Sequence, residues 1–253
     1  MLYAGIDMGS TCTKVAVLDE QSRIMEYNLR PTGWDSVGTA QTIRRELSEK
    51  FESEEIRCVA TGYGRVAVPY AQKTVTEITC HGKGANLLFG PSPSIVIDIG
   101  SQDTKVIVLE NAKVRDFLMN DKCSAGTGRF LEIMANTLGV SLAGLCELAE
   151  RGDGVTISSM CTVFAESEVI SLIGKGTRKE DIAFGVIESI VNKVHSQAAK
   201  LLGPNKAVYL TGGLCELPFI VEQLSNKLSQ EVKTSPMARY AGALGAALTA
   251  SGL

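Results

Sequence analysis

Two near-identical segments of the sequence have residue types that suit phosphate binding. IDMGSTCTKVAVL at 6–18 and IDIGSQDTKVIVL at 97–109 agree at nine of 13 positions, with an offset of 91 residues. Each segment predicts a strand, a tight glycine turn and a second strand. Gly9 permits a positive φ, and the amides and hydroxyls of the turn can then converge on one phosphate group.

The turns also supply candidate catalytic and metal-binding residues. Asp7 and Asp98 end their strands and are expected to hold a hydrated Mg²⁺ ion. Asp7, Asp98 and Gln102 are the candidate catalytic residues, because phosphoryl transfer depends on positioning the attacking water and the metal. Further expected phosphate contacts are Gly9, Ser10, Thr11, Cys12, Thr13 and Lys14, and then Gly100, Ser101, Gln102 and Asp103. Lys14 and Lys105 fit a solvated strand side chain equally well.

Two further glycine turns suit other parts of a nucleotide. A further phosphate turn is expected at Gly126, Thr127 and Gly128, and it begins three residues after Cys123. Gly212 and Gly213 follow a predicted buried strand and leave room for a flat adenine or a ribose. The two hairpin turns and these two glycine turns together predict an ATP-binding protein.

The seven cysteines include no C-x-x-C pair and are an odd number for a disulfide framework. Cys123 and Cys161 precede predicted helices, where free amides and the helix dipole stabilise a thiolate, and Ser158 or Ser159 is a candidate cap for the second helix. Thiolates ligate iron–sulfur clusters and zinc, but two ligands complete neither site. A redox thiol and an inert buried thiol remain alternatives. Cys12, Cys58, Cys80 and Cys146 are interpreted as packing residues.

The elements that must position these residues form an α/β fold with two lobes. The proline-containing segment 90–94 is the predicted linker, which divides the chain into 1–93 and 94–253. Helices are predicted at 40–51, 180–202, 218–228 and 242–250. The segment 56–65 is predicted as a short strand that ends in a glycine-rich turn, and 206–214 as a buried strand that enters a Gly-Gly turn. The last helix, about 239–250, is rich in small residues and is expected to pack back on the first lobe.

Bulk properties exclude several classes of function. The 253 residues carry a formal net charge of −3, so no basic surplus favours nucleic acid or an anionic membrane. No apolar run reaches the length of a membrane span, and the N-terminus lacks the basic region of a signal peptide. These features predict a cytoplasmic protein.

The combined motifs resemble those of a known family. The order of two phosphate hairpins and a Gly-Gly turn resembles the actin, Hsp70 and sugar-kinase superfamily, which implies two ribonuclease H-like lobes with ATP in the interlobe cleft. The segments GIDMGSTCTK, VIDIGSQDTK, FLMNDKCSAGTGRFLE and SSMCTVFAESEVISL resemble the ATP-dependent activators (component A) of 2-hydroxyacyl-CoA dehydratases, in the BadF/BadG/BcrA/BcrD-type ATPase family. The resemblance covers residues 2–250.

This resemblance implies an iron–sulfur ATPase that acts as a homodimer. One oxygen-sensitive [4Fe–4S] cluster would bridge the two copies through Cys123 and Cys161 of each. ATP hydrolysis, with Mg²⁺, would drive one electron to a partner, either an iron–sulfur dehydratase or a double-cubane-type reductase, with ferredoxin or flavodoxin as the donor. The less favoured alternatives are a small-molecule kinase of the same fold and an actin-like filament protein.

A few residues depart from the family pattern or have open roles. Relatives carry Gly-Gly-Gln-Asp where this chain has Gly100-Ser101-Gln102-Asp103, and Ser101 should be tolerated unless its φ is positive. Arg239 replaces a glutamine of some relatives and is expected to stack on adenine. Other residues with weaker assignments are Arg65, Glu77, His81, Glu166, Glu168, His195 and Cys215. Glu166 and Glu168 are interpreted as favouring a helix N-terminus, and Glu77 with His81 as a structural pair.

Overall fold

A computed structural model describes residues 1–158, 161–203 and 206–253. The strands are β1 (Leu2–Met8), β2 (Cys12–Leu18), β3 (Ile24–Pro31), β4 (Ile56–Thr61), β5 (Lys73–Thr74), β6 (Ser94–Ile99), β7 (Thr104–Glu110), β8 (Lys113–Asn120), β9 (Ala207–Gly212) and β10 (Val232–Lys233). The helices are α1 (Ser36–Lys50), α2 (Glu77–Phe89), α3 (Gly128–Thr137), α4 (Leu142–Ala149), α5 (Thr162–Gly174), α6 (Lys179–Ala198), α7 (Pro218–Leu228) and α8 (Ala241–Ala250). Short 3₁₀ helices span Arg65–Ala67, Gly213–Glu216 and Ala238–Tyr240.

The chain forms two compact units. Unit 1 contains Met1–Pro93, Leu109–Arg115 and Met237–Leu253, and unit 2 contains Ser94–Val108 and Asp116–Pro236. Each unit has its own five-stranded sheet, with the orders β3-β2-β1-β4-β5 and β10-β9-β6-β7-β8. Two sheets with helices in one chain confirm the predicted α/β fold.

The sheet of unit 1 is covered on both faces. Successive side chains of a strand point to opposite faces, and in β2 Val15 and Val17 pack in one apolar cluster with Ile43 of α1. Ala16 and Leu18 pack in another cluster, which includes Leu244 of α8. The alternation of β2 therefore buries both faces, and the strand positions the turn that precedes it.

Helix α8 approaches its neighbours so closely that only glycine fits at several contacts. A Cβ atom at Gly245 would lie 1.7 Å from the carbonyl oxygen of Cys80 in α2, and one at Gly5 in β1 would lie 1.9 Å from the carbonyl oxygen of Ala243. Gly84 of α2 has a similar constraint against Ala241. The small residues of α8 thus allow backbone-to-backbone packing within unit 1.

Unit 2 is built on the second repeat. Strand β6 pairs in parallel with β9, which places Asp98 opposite Thr211 and Ile99 opposite Gly212. The glycine turn after β6 and the Gly-Gly turn after β9 therefore lie at the same edge of the sheet. Helix α7 matches the predicted range 218–228, whereas α6 ends at Ala198, short of the predicted 202. Among the described residues, no single helix is both long and apolar enough to cross a bilayer.

Candidate nucleotide and cysteine site

The first hairpin closes through a short backbone contact. The Gly9 amide donates to the carbonyl oxygen of Cys12 at 3.1 Å. Gly9 does not adopt the positive φ that glycine permits. Glycine is instead favoured by space, since a Cβ there would lie 2.8 Å from the Cys12 carbonyl oxygen.

Thr32 holds this turn from behind. Its hydroxyl donates to the Gly9 carbonyl oxygen at 2.7 Å, and its amide donates to the Thr11 carbonyl oxygen at 2.9 Å. The buried Thr13 hydroxyl lies 2.9 Å from the Thr32 hydroxyl, so this predicted phosphate donor has a partner inside unit 1. Ser10 and Thr11 are exposed. Thr32 has no motif of its own, and the sequence alone did not indicate it.

The Asp7 carboxylate lies in a narrow cradle of unit 1. A Cβ at Gly62, whose φ is +91°, would lie 2.8 Å from Oδ1, and one at Gly242 would lie 2.8 Å from Oδ2. The same Cβ at Gly242 would lie 2.9 Å from Nε2 of His81, so two glycines leave space beside this carboxylate. The Lys14 ammonium lies 3.7 Å from Oδ2, and the lysine side chain is 20% exposed. Arg65 donates to the Gly62 carbonyl oxygen at 2.9 Å and so stabilises the neighbouring turn.

The second hairpin repeats this geometry. The Gly100 amide donates to the Asp103 carbonyl oxygen at 2.9 Å, and a Cβ at Gly100 would lie 2.4 Å from Oδ1 of Asp103. Gln102 is exposed at the tip of the turn. Ser101 is absent from the positive-φ residues, which confirms that serine is tolerated at this position.

Lys105 is buried between two carboxylates of unit 2. Its ammonium lies 2.7 Å from Oδ2 of Asp103 and 3.4 Å from Oδ2 of Asp98, and the side chain is 2% exposed. Thr211 donates to Oδ1 of Asp98 at 2.7 Å. The alternative of a solvated Lys105 is therefore wrong. The buried network joins the second hairpin to the residue that precedes the Gly212–Gly213 turn.

The segments that carry Cys123 and Cys161 lie side by side in unit 2. Both thiols are exposed. The hydroxyls of the residues that follow them, Ser124 and Thr162, are 2.8 Å apart. The side-chain amide of Asn120 donates to the Cys123 carbonyl oxygen at 2.8 Å, which fixes the segment of Cys123. The fold thus brings together the two segments that carry Cys123 and Cys161, although these residues are 38 positions apart in the sequence.

Cys161 is the N-cap residue of α5, and its carbonyl oxygen accepts from the Ala165 amide at 2.9 Å. Ser158 does not cap this helix, because its amide and hydroxyl donate to the carboxylate of Glu168. The other candidate cap, Ser159, lies outside the described residues. Cys123 lies four residues before Thr127, the N-cap of α3.

The turn 126–128 is bound to the second hairpin. The Gly128 amide donates to the Gly100 carbonyl oxygen at 2.8 Å, and the Arg129 amide donates to that of Ser101 at 2.9 Å. The Thr104 hydroxyl donates to the Gly126 carbonyl oxygen. The Thr127 amide donates to the Ser124 carbonyl oxygen at 3.0 Å. The amides of Thr127 and Gly128, which were expected to meet a phosphate, are therefore occupied within unit 2.

The first helical turns after Cys161 expose large apolar side chains. Val163 is 66% exposed and Phe164 is 68% exposed. Ile170 and Ile173, further along α5, are also exposed. Such a cluster on one helix is typical of a protein interface.

Glu166 and Glu168 do not lie in the first turn of α5, so the proposed electrostatic effect on its N-terminus is wrong. Glu166 instead accepts from the Thr137 hydroxyl of α3 at 3.1 Å, and Glu168 accepts from Ser158. These carboxylates join α5 to neighbouring segments of unit 2. His195, on α6, is half-buried.

The Gly-Gly turn has the conformation that glycine permits. Gly212 has a φ of +84°, and a Cβ at Gly213 would meet no atom within 4 Å. Cys215 is buried beside this turn, whereas Arg239 belongs to unit 1 and is half-buried.

A cavity of about 200 Å³ lies between the Ala125–Gly126 turn, Ser158 and the polar face of α6. Lys193 of α6 packs against Gly126.

The remaining cysteines differ from the exposed pair. Cys58, Cys80 and Cys146 are buried, as their interpretation as packing residues requires, and Cys12 is half-buried. Burial raises the pKa of the Cys58 and Cys80 thiols to about 12. Within the described ranges, no group of three or more His, Cys, Asp or Glu side chains converges as a metal site.

Known proteins match this chain over almost its full length. The sequence profile of the BadF/BadG/BcrA/BcrD ATPase family matches residues 4–250. The (R)-2-hydroxyglutaryl-CoA dehydratase activating ATPase of Acidaminococcus fermentans is 45% identical over 250 residues, covering 97% of this chain and 95% of the relative.

Two solved structures share the fold. The crystal structure of component A of the Acidaminococcus fermentans (R)-2-hydroxyglutaryl-CoA dehydratase has a TM-score of 0.91 at 43% identity, and covers 100% of this chain and 98% of its own. The activator of the 2-hydroxyisocaproyl-CoA dehydratase from Clostridium difficile, with bound ADPNP, has a TM-score of 0.90 at 36% identity, and covers 100% and 95%.

Proposed function

The chain belongs to the BadF/BadG/BcrA/BcrD ATPase family, and from that premise we propose that it couples ATP hydrolysis to one-electron transfer. The electron would pass from a [4Fe–4S] cluster shared by two copies of the chain to a partner iron–sulfur enzyme. The proposal depends mainly on one observation: two exposed cysteines lie on adjoining segments, and the segment of Cys123 is linked by hydrogen bonds to the second phosphate-type hairpin.

The two hairpins are the proposed ATP and Mg²⁺ ligands. Asp7 fits a metal-bound water, because two glycines leave space beside its carboxylate. Ser10 and Thr11 are exposed donors for a phosphate group, and Gln102 is an exposed candidate for orienting the attacking water. Gly212 and Gly213 are proposed to bear the adenosine, with Arg239 stacking on the base. The ADPNP bound to the Clostridium difficile activator, a structure with a TM-score of 0.90 to this chain, supports nucleotide binding by this chain.

The cysteines fit a shared cluster. A [4Fe–4S] cluster takes four thiolates, and this chain offers Cys123 and Cys161 as exposed thiols on adjacent segments. Two copies related by a two-fold axis would complete the set. The exposed apolar side chains that follow Cys161 suit the burial that such a dimer requires. When bound, the cluster would supply the one-electron chemistry.

Hydrogen bonds provide the proposed coupling. The amides of Gly128 and Arg129 hold the second hairpin, and Thr127 holds Ser124, the neighbour of Cys123. A change at Gly100 and Ser101 during hydrolysis would therefore move the segment that ligates the cluster. Cluster potentials respond to hydrogen bonds and exposure, and a 59 mV shift changes a one-electron equilibrium about tenfold.

The acceptor is proposed to be a 2-hydroxyacyl-CoA dehydratase, since dehydratase activators are among the relatives. A double-cubane-type reductase is the alternative acceptor, and ferredoxin or flavodoxin is the proposed donor. A pull-down from anaerobic cells, followed by iron analysis of the captured partner, distinguishes the two acceptors.

Replacement of Cys123 or Cys161 by Ala tests the proposal. Anaerobically purified protein should contain about four iron atoms per dimer, and each variant should lose the iron and the visible absorbance while still binding ATP. Cys146→Ala, which changes a buried thiol, is the matched control and should keep the iron. Retention of iron in either cluster variant, or a colourless dimer that phosphorylates a small substrate, would contradict the proposal.

A further inference from the structure

The two cysteine segments are joined to the second hairpin in different ways. The Cys123 segment is joined directly, because the Thr127 amide, at 3.0 Å, and the Thr127 hydroxyl, at 2.7 Å, both donate to the Ser124 carbonyl oxygen. Thr127 immediately precedes Gly128, whose amide holds the Gly100 carbonyl oxygen. A displacement of the hairpin turn is therefore transmitted along the backbone to Ser124.

The Cys161 segment contacts this chain of bonds through a side chain. The Ser124 hydroxyl lies 2.8 Å from the Thr162 hydroxyl, and Thr162 is the first residue of α5. Thr162 is 6% exposed, so its hydroxyl lies largely out of water and its partner is not readily replaced by solvent. Cys161 directly precedes Thr162 and caps α5.

We infer that the Ser124–Thr162 hydroxyl pair is the positioning contact that transmits the nucleotide state of the second hairpin to Cys161. Neither residue touches the reacting atoms. Their role is to make both cysteine segments move together, so that the two ligands of one chain respond to ATP as a unit. The inference rests on the proposed ATP and cluster functions. It assigns a role to the Ser124 and Thr162 side chains, which have none in the proposed function itself.

A separate hydroxyl contact, between α3 and α5, provides a matched control. The Thr137 hydroxyl donates to Glu166 at 3.1 Å, and Thr137 is the last residue of α3, distant along the chain from both cysteines. Thr137→Val removes a hydrogen bond between α3 and α5 that involves neither Ser124 nor Thr162. A general loosening of α3 against α5 would appear in this variant as well.

The test measures alkylation of individual cysteines in the full chain. Cluster-free protein is treated with iodoacetamide with and without Mg²⁺ and ADPNP, and the rates at Cys123 and Cys161 are read by peptide mass spectrometry. In the wild type, the nucleotide should change both rates. In Ser124→Ala and Thr162→Val, the change at Cys123 should persist, while that at Cys161 should shrink about fivefold, the factor expected for one net hydrogen bond. Thr162→Ser should restore it, and Thr137→Val should leave it intact.

Each outcome decides the inference. An unchanged nucleotide response of Cys161 in both Ser124→Ala and Thr162→Val overturns it, as does an equal loss in Thr137→Val. A wild type that binds nucleotide and about four iron atoms per dimer, but shows no response at Cys161, overturns the inference and leaves the proposed function standing. A wild type that binds neither overturns both.

Discussion

Replacing Lys105 with Met should destabilise unit 2 far more than the equivalent change in the other repeat destabilises unit 1. Lys105 is 2% exposed and is shared by Asp98 and Asp103, which are 2% and 4% exposed. Removing one partner of a buried ion pair costs about 3–5 kcal/mol, because the remaining charge stays out of water. Thr211 still donates to Asp98, but it cannot neutralise either carboxylate.

The repeat supplies its own control. Lys14 stands at the position that corresponds to Lys105, but its side chain is 20% exposed and its ammonium lies 3.7 Å from Asp7. Asp7 is itself buried, but the Lys14 ammonium is partly in water and beyond hydrogen-bond distance, so this ion pair is weaker than those of Lys105. Lys14→Met should therefore cost several-fold less than Lys105→Met, although the two segments agree at most positions.

Hydrogen exchange across a urea series measures both units in one experiment. Peptides from 94–108 report unit 2, and peptides from 2–18 report unit 1. In Lys105→Met, the opening free energy of the unit 2 peptides should fall by about 3–5 kcal/mol, with unit 1 little changed. Equal losses in the two variants would refute the reasoning, because burial would then not determine the cost. An insoluble Lys105→Met chain beside a soluble Lys14→Met chain would agree with it.

Two further changes have defined outcomes. Burial raises the pKa of Cys58 and Cys80 to about 12, so their stabilising effect is complete below the unfolded pKa of about 8.5 and is lost as the pH rises towards 12. The free energy of unfolding from urea titrations should therefore fall above about pH 9, by up to about 1.4 kcal/mol per pH unit for each thiol. Cys58→Ala should remove one thiol from that slope, and an unchanged slope in this variant would contradict the argument. Gly245→Ala should prevent folding or strongly destabilise the fold, because the new Cβ would lie 1.7 Å from the Cys80 carbonyl oxygen. Gly174→Ala is the control, since no atom lies within 4 Å of the added Cβ, and it should shift the melting temperature by only a few degrees. Similar melting temperatures for the two variants would disprove the packing argument.

The repeated strands and turns could be predicted because their information is local. A strand, a glycine turn and a second strand are encoded within 13 residues, and α7 begins at Pro218 as the preference of proline for the first helical turn predicts. The prediction of α6 extended too far because the apolar periodicity continues beyond Ala198, where the helix ends. Periodicity shows which residues suit a helix but not where tertiary packing ends it.

The contacts that shape the site could not be predicted in this way. Thr211 and Asp98 are separated by 113 positions, and Thr32 and Thr13 by 19, so only the folded sheet brings each pair together. The role of Gly9 also differs in detail, since Gly9 meets a steric limit rather than a special φ. A single sequence shows which residue types a turn contains, but it does not show which backbone amides already donate hydrogen bonds within the protein. The amides of residues 127–129 do so here.

The two hairpins have nearly the same sequence but different electrostatics, and this asymmetry bears on the proposed metal site. Both oxygens of Asp98 have partners in unit 2, Thr211 on one and Lys105 on the other. Asp7 has one ammonium at 3.7 Å and glycine backbone beside both of its oxygens. A divalent cation at Asp98 would compete with the buried Lys105 ammonium and the Thr211 hydroxyl for the carboxylate oxygens, whereas Lys14 is partly in water and lies 3.7 Å from Asp7. The duplicated motif therefore favours Asp7 as the carboxylate nearer Mg²⁺ and Asp98 as the residue that holds the second hairpin in register with the Gly-Gly turn.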